Sequence, residues 1–257
     1  MDKIKIPFYY INLEAETEKR EHMEHQLKQY VENYQRIEAV NGHNLKNELE
    51  KCRFNLDDQD YDINFVPRDY YKGFGCLLSH IKIYKLLKGK KGIFCICEDD
   101  LSFELLKNPS QYFESILKNP PKDWEIIKLH TSSRPVLEYC FNKEETFVLN
   151  DDLNTSLSPQ VNTSTLIYLI NDKFIDKFWS LFLVDNIITF PNIKESLPIF
   201  LPRTVHSTKP TIDGIIGKYF RTYNYNRYLF KTVEKFEENP FGIESNRIIL
   251  EHFNKIF

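Results

Sequence analysis

The stretch Phe94-Cys95-Ile96-Cys97-Glu98-Asp99-Asp100 sets the tightest limit on what this chain can fold into. Four apolar residues in succession read as a strand covered on both faces, because a strand with one wet face alternates apolar with polar. That strand runs directly into three carboxylates, and each costs several kcal/mol to remove from water without a partner. The acids therefore belong at a sheet rim, where a cation or a set of donors compensates them or where they point into solvent. A strand of this kind calls for an α/β fold: a mostly parallel central sheet with helices on both faces.

The rest of the chain supplies the alternation such a sheet needs. The apolar, β-rich stretch from Pro7 reads as a first strand and ends near Asn12. Met23, Leu27 and Val31 recur at four-residue spacing, which predicts a helix over 16–31. Residues 34–40 read as a second strand, closed by the turn Asn41-Gly42. Residues 44–69 lack periodicity and read as irregular. Leu77, Ile81 and Tyr84 share one face of a helix over 77–87, entered from the loop Gly73-Phe74-Gly75, and residues 92–97 form a central strand. Downstream, a helix over 110–119, strands over 124–130 and 164–170, a helix over 172–183, a helix opening at Asp213, a strand over 227–233 and an amphipathic helix over 245–257 follow. Residues 185–211 carry four prolines and read as a long excursion.

Composition narrows the class. The chain has 257 residues, 42% of them hydrophobic, enough for one α/β domain over 1–257, with two small domains left open. A formal net charge of −3 leaves no electrostatic footprint for nucleic acid. No run of about 18 apolar residues occurs, so no transmembrane segment is expected. The five cysteines contain no C-x-x-C pair, which argues against a zinc or redox motif. Reduced, buried thiols suit a reducing compartment, the cytoplasm, and the Lys-, Asn- and Ile-rich usage fits an AT-rich microbial or viral genome. The terminal amphipathic helix packs on its own domain, on a partner such as a second copy in a homodimer, or on a membrane surface.

Ligands of open α/β sheets bind beyond the carboxyl ends of the strands, where the acids are delivered. In an extended segment Glu98 and Asp100 share a side and Asp99 faces away, an acid-x-acid clamp suited to Mg²⁺ or Mn²⁺. The natural partner of such an ion is a diphosphate. An acidic turn in solvent, capping a helix over 101–107, accounts for the same residues. Neither GxxxxGK[ST] nor GxGxxG is present, so a nucleotide here is held by metal and side chains. Ser79 and His80 lie early in their helix, within reach of a phosphate or base, or else in the core. His130, at a strand end, and His206, in the excursion, are alternative metal nitrogens or plain structural residues. Asp213 reads as a general base, a further metal ligand or a helix cap.

Taken together, these segments resemble glycosyltransferase family 25, which includes bacterial lipooligosaccharide galactosyltransferases and collagen hydroxylysine galactosyltransferases. The resemblance is carried by YYINLEAETEKRE, RIEAVNG, GFGCLLSHIKIY and IFCICEDD, in that order, and is clear over 1–103. One residue rather than two separates the glycines of the third segment. Later segments match more loosely, and 185–211 has no counterpart. The resemblance implies a GT-A fold, a UDP-sugar donor (usually UDP-galactose), inversion at the anomeric carbon and Mn²⁺ or Mg²⁺. It implies that Glu98 and Asp100 hold the metal and Asp99 the ribose or donor sugar. Asn12, Leu13 and Arg20 line the nucleotide pocket, with Val40 and Asn41 near the base and Ser79 and His80 against the donor. Asp213 becomes the base or a further metal ligand. Residues 1–103 form the nucleotide-sugar half, and 104–257 face a glycan or a collagen-like, hydroxylysine-bearing acceptor. A relative without turnover, acting as a binding or scaffold protein, is the alternative; a Mg²⁺ nuclease or phosphatase is opposed by the near-neutral charge.

Overall fold

The computed structural model describes residues 2–44, 68–152, 164–184, 187–188, 212–236 and 240–256. The expected irregular stretch over 44–69 and the excursion over 185–211, with His206, lie almost wholly outside them.

Strand β1 (Phe8–Asn12) leads into helix α1 (Thr17–Tyr30) and strand β2 (Tyr34–Glu38), and helix α2 (Arg68–Leu87) precedes strand β3 (Ile93–Glu98). A short strand β4 (Leu101–Ser102), helix α3 (Pro109–Lys118), strand β5 (Ile126–Lys128), helix α4 (Arg134–Phe141) and strand β6 (Phe147–Leu149) follow. Strand β7 (Ile167–Asn171) continues into helix α5 (Asp172–Phe182), and the short strands β8 (Leu183–Val184) and β9 (Ile187–Ile188) pair with each other. Helix α6 (Ile212–Tyr219), strand β10 (Thr222–Tyr225), strand β11 (Lys231–Thr232) and helix α7 (Pro240–Ile256) complete the order.

Seven strands make the central sheet in the order β2-β1-β3-β7-β5-β10-β6. Five run one way; β7, between β3 and β5, and β6, at the edge, run against them. This is the expected α/β class. The reversed β7 matters for the site, because its beginning, not its end, lies at the rim where β1, β3 and β5 finish. Register fixes the match: Cys97 of β3 pairs with Ile167 of β7, and Tyr10 of β1 pairs with Cys97.

Both faces of the sheet are covered, as the unbroken apolar run requires. Phe94 and Ile96 pack with Leu77, Ile81 and Tyr84 of α2, Phe174 and Phe178 of α5, and Ile215 of α6. Cys95 and Cys97 enter the opposite layer with Met23 and Leu27 of α1 and Phe113 and Ile116 of α3. Each fully buried large side chain contributes about 1.5–3 kcal/mol relative to exposure. A third cluster joins α4, β6 and α7, so the terminal helix packs on its own domain through Ile248 and Ile249.

Several expectations are corrected. Helix α2 does not begin after a glycine loop: it starts at Arg68 and runs through Gly73, Phe74 and Gly75. A Cβ on Gly75 would lie 2.6 Å from the Val40 carbonyl oxygen and 2.8 Å from the Gly42 nitrogen, so this glycine lets the helix touch the chain after β2. No helix covers 101–107; residues 101–102 form β4, antiparallel to β11. The strand expected over 227–233 shrinks to β11, because its residues pair only with that short partner. Helix α4 and strands β6 and β10 were not visible in the sequence pattern.

Candidate active site

The acids sit where β3 ends. The extended alternation that put Glu98 and Asp100 on one side stops at Glu98, since residues 99 and 100 form a turn. The turn is fixed from both sides: the Glu98 amide donates to the Leu166 carbonyl (2.9 Å), and the Val233 amide donates to the Asp100 carbonyl (2.8 Å). Buried Gln26 of α1 holds the chain just beyond, donating to the Leu101 carbonyl (2.9 Å) and accepting from the Phe103 amide (2.8 Å).

Each carboxylate meets different company. Glu98 Oε1 accepts from the Thr165 hydroxyl at 2.5 Å and stands 3.8 Å from His80 Nε2, too far for a hydrogen bond. Burial pushes the Glu98 carboxyl up, but His80 and Thr165 outweigh it and hold it below the usual range. Asp99 Oδ2 accepts from Asn12 Nδ2 at 2.6 Å, and burial raises its carboxyl. Asp100 has a buried Oδ1 with no hydrogen-bond partner. Burial, then the charges of Glu98 and Asp99, push its carboxyl up to about 7. A buried carboxylate oxygen lacking a donor, next to two further acids, is the kind of group that a divalent cation compensates.

Asn12, at the end of β1, organises the neighbouring part of the rim. Its Oδ1 accepts from Arg36 Nε at 2.9 Å while its amide nitrogen donates to Asp99. Arg36 also reaches Glu14 at 2.7 Å, and Arg20 pairs with the same Glu14 at 3.3 Å. Arg20 is thus linked to Asn12 through Glu14 and Arg36, whereas Arg36 touches Asn12 itself; the sequence assigns a site role to Arg20 and none to Arg36. Leu13 follows Asn12 and is half-buried. The Val40 amide donates to Ser79 Oγ (2.8 Å), which donates to the Gly75 carbonyl (2.7 Å), so buried Ser79 ties α2 to the segment after β2. Exposed Asn41 caps a short turn by accepting from the His43 amide at 3.0 Å. His80 is fully buried, its Nδ1 sharing a 2.6 Å hydrogen bond with the Tyr168 hydroxyl, which shares one of 2.8 Å with Tyr84.

The third part comes from the ends of β5, β7 and α6. Asp213, in the first turn of α6, accepts at Oδ1 from Lys128 Nζ and from the Ser164 amide, both at 3.1 Å. Lys128 is 1% exposed, a buried cation at a strand end. Ser164 has φ 132°, sparsely populated for a residue with a side chain, and is held there by Asp213, by the Leu166 amide and by His130 Nδ1 at 2.8 Å. Burial pushes the His130 imidazole down to about 3, keeping it neutral. The Cys76 thiol, on α2, is raised by burial and then by the charges of Glu98, Asp213 and Asp100, acids that come from two segments, the end of β3 and the start of α6.

Residues 5–187 match the family described as Glycosyltransferase family 25 (LPS biosynthesis protein). The chain belongs to glycosyltransferase family 25. A curated relative, procollagen galactosyltransferase 1-A of Xenopus laevis, is 30% identical over 125 residues, 47% of this chain. The match spans 20% of the relative's length. A solved structure, apo mouse xyloside xylosyltransferase 1, aligns over 66% of this chain and 55% of its own at 12% identity and a TM-score of 0.32.

Within this family-25 chain the structure brings Asn12, Glu98, Asp99, Asp100, His80 and Asp213 to one rim, at the ends of β1 and β3, the start of α6 and the buried face of α2. Val40 and Ser79 are joined to each other by a buried hydrogen bond, and Asn41 lies at the surface beyond them. The sequence assigns no site role to Lys128, Thr165, Arg36 or Cys76, although Arg36 opens RIEAVNG and Cys76 lies in GFGCLLSHIKIY. Cys76 also stands four residues before His80 on a helix, one turn away on the same face.

Proposed function

We propose that this protein is a metal-dependent, inverting glycosyltransferase that moves a hexose, galactose, from a UDP-sugar to a hydroxyl of a glycan or of a hydroxylysine-containing acceptor. The single observation carrying the reading is the buried, donor-less oxygen of Asp100 beside Glu98 and Asp99 at the carboxyl edge of the sheet. A divalent ion, Mn²⁺ or Mg²⁺, held there would neutralise charge building on the departing diphosphate.

The chain's own residues have definite work in this scheme. Asn12, oriented by Arg36, fixes Asp99 toward the donor's ribose or sugar. Asp213 takes the proton of the acceptor hydroxyl; Lys128 and the Ser164 amide both bind Oδ1 and leave Oδ2 for that task. Inversion is a single displacement, so one base suffices and no protein nucleophile is needed. Residues 1–103 serve as the donor half and the remainder as the acceptor side. The described cysteines are free thiols, which supports a reducing compartment, the cytoplasm.

A second reading is favoured by one contact. Asp213 is anchored by an ion pair to buried Lys128, a structural role that suits a family member binding donor without turning it over. The test is a screen of nucleotide sugars for Mn²⁺-dependent hydrolysis, read as released nucleotide, which needs no acceptor. UDP release that disappears in Asp100→Ala supports the transferase. UDP and Mn²⁺ binding by calorimetry without release from any nucleotide sugar, even with an acceptor panel, overturns it for the second reading.

A further inference from the structure

The buried face of α2 presents an arrangement that oxygen ligands alone do not explain. Cys76 and His80 are one helical turn apart, and Glu98 lies opposite at the end of β3. The three ligand atoms, one each of sulfur, nitrogen and oxygen, lie within 4.8 Å of one another. His80 is fully buried and its Nε2 has no hydrogen-bond partner. It faces Glu98 Oε1 at 3.8 Å. That gap is too wide for a hydrogen bond, yet two ligands bound at about 2.0–2.2 Å to one ion stand at a similar separation.

We propose that Cys76, His80 and Glu98 form a binding site for a borderline transition-metal ion of the zinc class, with a fourth position open toward the rim. The proposal deepens the cation reading above and rests on it in sharing Glu98. It changes the ion: a thiolate and an imidazole select Zn²⁺, Co²⁺ or Fe²⁺ over Mg²⁺. Three protein ligands with one free position are the pattern of a zinc that meets substrate rather than one that only staples a fold. The surrounding shell is in place. Tyr168 holds His80 Nδ1 at 2.6 Å and Thr165 holds Glu98 at 2.5 Å, orienting both ligands as outer partners of metal sites do. His130 adds a second buried, unpartnered ring nitrogen within range of the Glu98 charge. Glu98 is one-third exposed and Cys76 half-buried, so an ion has a path in. On binding, the Cys76 S–H proton is lost to solvent and the thiolate pair forms the S–metal bond.

The test titrates the metal-free full chain with Co²⁺ and reads the thiolate-to-cobalt charge-transfer band in the near ultraviolet. The expected band is lost in Cys76→Ser, retained in Cys140→Ser, and displaced by Zn²⁺. Tyr168→Phe weakens Co²⁺ binding by about tenfold. Should Cys76→Ser fail to fold, alkylation of the Cys76 peptide of the unaltered protein, read by mass spectrometry, falls when Zn²⁺ is added. A missing band, or a band and an alkylation rate indifferent to Cys76 and Zn²⁺, overturns the site. Nucleotide release with Mn²⁺ but no cobalt band overturns this inference and leaves the transferase reading standing. A cobalt band without nucleotide release under any ion does the reverse.

Discussion

Asp100 is the residue at which stability and function pull apart. Its buried oxygen has no donor and two acids adjoin it, so without an ion the folded chain carries an uncompensated cost. Asp100→Asn removes the charge while keeping the shape. In the presence of a chelator the variant should be more stable than the parent by about 1–3 kcal/mol, measured by chemical denaturation, and its divalent-dependent nucleotide release should be lost. A variant less stable than the parent in chelator would show that Asp100 is already well partnered. Three successive acids after an apolar strand were legible in the sequence because adjacent like charges are conspicuous. Which of them lacked a donor was not, since the donors come from elsewhere in the chain, Asn12 from β1 and Thr165 from the segment just before β7.

At the scale of elements, α2 is the hinge between sequence and site. Its glycines were read as a loop because glycine weakens helices, yet the helix passes straight through both. They differ in what surrounds them. A Cβ on Gly73 meets nothing within 4 Å, whereas one on Gly75 runs into backbone at 2.6 Å. Gly73→Ala should therefore stabilise the protein by about 0.5–1 kcal/mol, and Gly75→Ala should destabilise it by about 1–3 kcal/mol. Thermal melts of the pair decide the point: equal shifts would remove the argument for close approach. Because α2 also carries Cys76, Ser79 and His80, backbone displacement at Gly75 should weaken metal or donor binding as well. The Gln26 bracket makes a parallel case for α1. Gln26→Leu leaves the Leu101 carbonyl and Phe103 amide without their buried partner and should cost about 2–4 kcal/mol in denaturant titrations, with the acidic turn loosened.

Across the whole molecule, the far end of the chain holds the site's support. Helix α7 covers α4 and β6 through Ile248 and Ile249, and its Asn246 bonds the Thr232 amide, carbonyl and hydroxyl of β11, which in turn pairs with β4. A chain stopped before Pro240 should bind a hydrophobic dye and melt well below the parent, because Val136, Leu137 and Val148 lose their cover. An unchanged melt would mean that α7 is an accessory.

By itself the sequence determined the class of fold, the burial of β3 on both faces, the family and the segment bearing the acids. These follow from local pattern: periodicity, apolar runs and adjacent charges are properties of neighbours along the chain. Only the tertiary structure decided that β7 runs against β3, that Lys128 holds Asp213, that Arg36 rather than Arg20 touches Asn12, and that Cys76 and His80 face Glu98. Each of these is a contact between residues far apart in sequence, and its partner is chosen by strand order and register, which no local pattern encodes.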